Sequence, residues 1–101
     1  MEGISVERLS ERRYSLAGEL DIATAPSLDE LLGEGDFTPG NEVVLELGDL
    51  SFIDSQSVRT LLGLAAALQP GGRLILHAPS AAAAKVFALI RLEDIDNVEL
   101  T

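Results

Sequence analysis

A chain of 101 residues, 47 % of them hydrophobic, is long enough for one core and short for two, so a single domain over residues 1–101 is expected. With no cysteine and one histidine, His77, disulfides, thiolate chemistry and Cys-based zinc sites are excluded, and little remains for a Ser-His nucleophile. The formal net charge of −10, from 17 acidic and 7 basic residues, argues against nucleic acid and anionic membranes, which both attract basic footprints. Such acidity ordinarily serves solubility; its sharper reading is steering toward a basic partner surface. The N-terminus is acidic and alternating, unlike a signal peptide. No apolar run approaches the roughly 20 residues that span a bilayer. A cytoplasmic location is the default expectation, without membrane insertion.

In chain order, Ile4 to Leu9 alternates apolar and polar residues as a half-buried strand does, and Arg13 to Gly18 reads as its antiparallel return after a turn at Ser10-Glu11-Arg12. After Asp21, Thr24-Ala25-Pro26-Ser27 opens a helix with Pro26 in its first turn and Leu28, Leu31 and Leu32 on one face. Gly33-Glu34-Gly35 ends it, and a loop through Pro39-Gly40 follows. Glu42 to Leu47 is the best candidate for a central strand, with Gly48 to Ile53 as a connector carrying a short apolar plug. A helix then runs from Ser55 to Leu68, with Val58, Leu61, Leu62, Ala65 and Leu68 recurring at helical spacing until Pro70-Gly71-Gly72. Arg73 to Ala78 is the next strand, Pro79-Ser80 starts an alanine-rich helix to about Ile90, and Asn97 to Leu100 forms a last short strand. The order β-β-α-β-α-β-α-β predicts an α/β sandwich with a mixed, mostly parallel sheet of four or five strands and three or four helices.

No Gly-rich loop leads from a strand into a helix, so phosphate-cradling motifs are missing. Ser55 has Asp54 beside it, but adjacent residues at a helix start usually mean capping. A small hydrolase built on Ser55, Asp54 and His77 would need His77 within hydrogen-bond reach of Ser55. The expectation is that His77 lies across the sheet. Asp54 is placed to cap the helix by accepting from the amide of Gln56 or Ser57. A phosphate on Ser55, at the first helical position, would meet free amides and the positive end of the helix dipole. Arg59, four residues on, would partly neutralise it.

Three stretches resemble the STAS domain, shared by anti-sigma factor antagonists and the tails of anion transporters. Gly18-Glu19-Leu20-Asp21 resembles the family's G-E-L-D, and Val43 to Ser55 resembles its central strand and the loop ending in F-[IM]-D-S. Gly72-Arg73-Leu74-Ile75-Leu76 with Pro79 to Phe87 is similar to the later strand and helix. Where family members read D-S-S-G or D-S-T-G, this chain has Gln56 and Ser57 after Ser55, then Val58. The sequence in hand ends one residue after Leu100, before the terminal helix that many relatives carry, as expected of either a minimal member or a piece of a longer chain.

The resemblance implies that Ser55 is the phosphoacceptor, with Ser57 as the alternative hydroxyl, and that Asp21, Asp54, Gln56 and Arg59 flank it. It implies a docking face that includes Ser57 and Val58. The implied protein is a regulator rather than an enzyme, without metal or cofactor. Unmodified, it would bind an anti-sigma factor that is also a serine kinase and so free sigma factor; phosphorylation would break that complex, and a metal-dependent phosphatase would reset it. The alternative within the family is a STAS scaffold or accessory domain of a transporter or signalling complex that is never phosphorylated. No large apolar patch in the sequence demands a dimer, so a monomer is expected when free.

Overall fold

The computed structural model describes residues 3–101, the side chains of Glu34 and Glu93 excepted. Strands β1 (Ile4–Ser10) and β2 (Arg13–Leu20) form an antiparallel hairpin, closed by a turn in which Arg12 takes φ +58°. Helix α1 (Ala25–Leu31) leads to β3 (Glu42–Ile53), α2 (Val58–Ala67) to β4 (Arg73–His77), and α3 (Ala81–Leu89) to β5 (Val98–Leu100). Short 3-10 turns lie at Glu34–Asp36 and Leu92–Asp94. The five strands stand in the order β1-β2-β3-β4-β5, with β2 to β5 parallel. The α/β class, the mixed and mostly parallel sheet and the element order agree with expectation.

Each crossover steps one strand in the same direction, and right-handed crossovers then put every helix on one face of the sheet. The burial pattern agrees. Tyr14, Leu16 and Leu20, Val43, Leu45 and Leu47, Leu74 and Leu76, and Val98 are buried with Leu28, Leu61, Ala65, Leu68, Ala83 and Phe87 from the helices. The alternate positions (Arg13, Ser15, Val44, Glu46, Ile75 and His77) remain half-exposed. Parallel sheets are usually covered on both faces. Here the open face carries polar ties instead: Arg13 pairs with Glu46 at 2.6 Å, Arg73 with Glu99 at 2.7 Å, and His77 Nδ1 with Thr101 Oγ1 at 2.7 Å.

Three expectations need correction. Gly48 to Ile53 is not a connector: β3 continues through it to Ile53 beside β2. Register shifts between Ser15 and Ala17 and between Gly18 and Glu19 let the longer β3 keep pairing, and they convert strict alternation into buried Leu47, Leu50 and Ile53. Gly18 makes this possible, with φ +103° and a position where a Cβ would lie 2.0 Å from the Gly3 carbonyl oxygen. In α1, Leu28 and Leu32 are buried but Leu31 is 48 % exposed, because the helix ends there and the extended backbone of Leu32 turns its side chain back inward. Finally, α2 begins at Val58 rather than Ser55.

Candidate functional site

The C-terminal ends of β2 and β3 lie side by side, with Leu20 paired to Ile53. The loops that follow bring the starts of α1 and α2 together at the strand end where open α/β sheets generally bind their ligands. Both loops are built on the same device, an Asp followed three residues later by a hydroxyl residue.

In the first, Asp21 Oδ1 accepts from the amides of Ala23 at 2.9 Å and Thr24 at 3.0 Å. The Thr24 hydroxyl donates to the Glu19 carbonyl at 2.7 Å and accepts from the Asp21 amide at 2.9 Å. Asp21 thus spends this carboxylate oxygen on its own turn.

In the second, Asp54 Oδ1 accepts from the Ser57 amide at 2.7 Å, and the Asp54 amide donates to the Leu20 carbonyl at 3.3 Å. Asp54 accepts from the Ser57 amide as expected, but it closes the turn before α2 rather than capping the helix itself, whose N-cap is Ser57 without a side-chain cap bond. The chain then makes a tight turn, in which Arg59 donates to the Gln56 carbonyl at 3.1 Å and Thr60 to that of Ser57 at 3.0 Å. These i to i+3 bonds delay the α-helix. Ser55 therefore sits in the turn, exposed, instead of at the first helical position. The Ser57 side chain and then its amide favour the charged form of Asp54, holding its carboxyl below the ordinary range against a smaller effect of burial. The Ser57 hydroxyl lies close enough to favour that charge yet outside hydrogen-bond geometry, so this buried oxygen has no partner.

The two candidate hydroxyls differ sharply in access. Ser55 is exposed, whereas Ser57 is 3 % exposed. Val58, at 1 %, opens the apolar stripe that continues through Leu61 and Ala65. Both residues expected to meet a partner, Ser57 and Val58, thus turn inward. The accessible surface belongs to Gln56 and Arg59, which with Ser57 and Thr60 form one wall of a cleft of about 480 Å³. Ile22, Ala25, Pro26 and Asp29 form the other wall.

These features belong to a recognised architecture. The chain matches, over residues 6–100, the family described as Mlab, STAS domain. It belongs to the STAS family. The solved structure of the anti-sigma factor antagonist SpoIIAA in its unphosphorylated form is similar in fold, with a TM-score of 0.70 and 24 % identity over 97 % of this chain and 87 % of that one. A search of curated proteins finds none that matches.

Two further facts bear on what this STAS domain can do. His77 pairs in register with Glu46, eight residues before Asp54 along β3, on the order of 25 Å away at the usual rise per residue. Its ring meets Thr101, so Ser55 and His77 are not brought together as a nucleophile and base. Among the described residues no three His, Asp or Glu side chains gather as a metal site, and no helix is long and apolar enough to cross a membrane.

Sequence reasoning missed Ile22, which is 72 % exposed at the cleft mouth, and Phe52, 45 % exposed on the penultimate residue of β3. An aliphatic residue standing alone between Asp21 and Ala23 was the available signal.

Proposed function

We propose that this STAS domain is an anti-sigma factor antagonist switched by phosphorylation of Ser55. Unmodified, it binds an anti-sigma factor that is also a serine kinase, and sigma factor is freed for transcription. Phosphate on Ser55 ends the complex, and a metal-dependent serine phosphatase restores the unmodified state. The phosphoryl chemistry belongs to the partners, and this chain acts as their substrate and regulator. One observation carries the reading: Ser55 is exposed in a turn held by Asp54, at the end of the central strand and directly before the cleft wall at Gln56. A phosphate there adds about −1.5 to −2 charges to a docking surface without touching the core.

Burial favours Ser55 over Ser57 as the acceptor, since a kinase must close around the hydroxyl. Incubation with candidate anti-sigma kinases and ATP, followed by mass spectrometry, tests it: phosphate is expected at Ser55 and absent from Ser57. Ser55→Asp is expected to weaken kinase binding, and Ser55→Ala to bind without being released. An Asp variant that binds as tightly as the unmodified domain would remove the switch from this loop. A second reading, a STAS scaffold or accessory domain that is never phosphorylated, is favoured by exposed Gln56, a long side chain directly beside the acceptor. Absence of phosphate at Ser55 across all the kinases would support it.

A further inference from the structure

Seven basic residues serve a chain of net charge −10, and most are already engaged. Arg8 lies within 4 Å of Asp36, Arg12 of Glu11, Arg13 of Glu46, Arg73 of Glu42 and Glu99, and Arg91 of Asp94. Among the described residues, Arg59 and Lys85 are the two bases without such a carboxylate. Lys85 stands on the outer side of α3, but Arg59 lines the cleft. Asp29 lines the facing wall, and no ion pair joins it to Arg59. Ala25 and Pro26 make the rest of that wall apolar, and Ile22 stands exposed beside them. An unpaired cation in so acidic a molecule is a place where a carboxylate from outside is welcome.

We propose that the α1–α2 cleft recognises a partner segment by one aliphatic side chain flanked by a carboxylate and a basic residue. The aliphatic group packs on Ile22, Ala25 and Pro26, the carboxylate pairs with Arg59, and the basic residue faces Asp29. The proposal rests on the reading of this domain as a protein-binding switch, and it assigns the switch a cause. The tight turn through Gln56 and Ser57 separates Ser55 from Arg59 by only four residues, and in this proposal a phosphate on Ser55 competes for the guanidinium that the partner's carboxylate needs. Net negative charge alone would repel any acidic partner. Competition for Arg59 disengages this one at a single residue.

Selection of random octapeptides displayed on phage against the purified domain tests the inference without knowledge of the partner. The enriched peptides are expected to share an aliphatic residue with Asp or Glu to one side and Lys or Arg to the other. Selection on Arg59→Glu is expected to exchange the acid for a base, which loss of folding cannot mimic. For a synthetic peptide of the consensus, Ile22→Asp should weaken binding about tenfold through the lost apolar contact, and Arg59→Gln about three- to fivefold as a rim charge. Both residues are exposed, and unchanged thermal melts will show that the variants fold. No consensus, a consensus indifferent to Arg59→Glu, or binding that survives Ile22→Asp each overturns the cleft proposal.

The switch separates from the cleft in one further comparison. Ser55→Asp should weaken the peptide in the native background and have little effect in Arg59→Gln. Equal weakening in both backgrounds overturns competition for Arg59 while leaving the switch. No weakening in either overturns the switch while leaving the cleft.

Discussion

The two loops that open α1 and α2 begin with the same chemistry and end with different tolerances. At Asp21 the hydroxyl of the device is fully engaged: one carboxylate oxygen serves two amides, and the Thr24 hydroxyl bridges the Asp21 amide and the Glu19 carbonyl. At Asp54 the carboxylate serves the Ser57 amide, but the hydroxyl three residues on is buried without a partner. The first loop is a closed ring that fixes one wall of the cleft. The second is a turn with slack, and the exposed serine sits inside it. Under the proposed switch, the serine to be modified stands in the less tightly bonded of the two turns. More of the side-chain hydrogen bonds lie in the neighbouring loop.

Replacing Thr24 breaks the contrast most severely. Thr24→Val keeps the shape of the side chain but strands the Asp21 amide and the Glu19 carbonyl that its hydroxyl serves. Leaving such groups unsatisfied costs about 1–3 kcal/mol, and for a domain of this size each kcal/mol is about 4–8 °C in Tm. Chemical denaturation with a constant m-value will read the loss. A variant as stable as the parent would mean that the ring contributes nothing and that the two loops are equivalent.

Asp54→Ala is expected to cost about 0.5–2 kcal/mol, by analogy with a lost helix cap. Its pH dependence sharpens the assignment. The Asp54 carboxyl is held below its ordinary value by the Ser57 side chain and amide, so its contribution is complete above the unfolded value near 3.9. That contribution fades as pH falls through the lower folded value. Stability of the parent should therefore fall more steeply below about pH 4 than that of Asp54→Ala, and the two curves should converge in acid. Parallel curves would mean that Asp54 holds the turn by geometry alone.

Much of the scaffold was legible because its signals are local. The strand begun by Ile4 and Val6, the helical spacing of Val58, Leu61, Ala65 and Leu68, and the Pro79-Ser80 start of α3 all survive in the structure, although Leu9 turns outward where the pairing shifts between Arg8 and Ser10. Ser80 caps α3 by accepting from the Ala83 amide at 3.2 Å and donating to the Leu50 carbonyl at 2.5 Å. The failures come where pairing between distant segments overrides local pattern. Gly48 to Ile53 reads as a connector because two irregularities in its pairing with β2 destroy the period of two. Ser55 reads as helical because Asp54 has the side chain of a cap, while the tight turn from Gln56 to Thr60 is decided by backbone bonds with no residue signature. At the site, Asp54 and Ser55 stand out only through the resemblance to the family motif, since their spacing alone reads as a helix start. The cleft could not be read from the chain, because its walls are the starts of α1 and α2 with the loops before them, made neighbours by the pairing of Leu20 with Ile53. Nor could the inward turn of Ser57 and Val58, which follows from the delayed start of α2.

The mildest substitution is the most discriminating one. Ser57→Ala removes a buried hydroxyl that satisfies nothing. Burying an unpaired hydroxyl is unfavourable, so its deletion should leave stability within about 0.5 kcal/mol of the parent or raise it. The offset is the nearby Asp54 carboxylate, which loses the side chain that favours its charge, so any gain should be larger at low pH than at neutral pH. Thr24→Val and Ser57→Ala thus remove the same group from the same place in two related turns, with opposite expected signs. If Ser57→Ala proved as damaging as Thr24→Val, the Ser57 hydroxyl would have to be bonded in solution. The second loop would then be as closed as the first, and the slack assigned to the Ser55 turn would be lost.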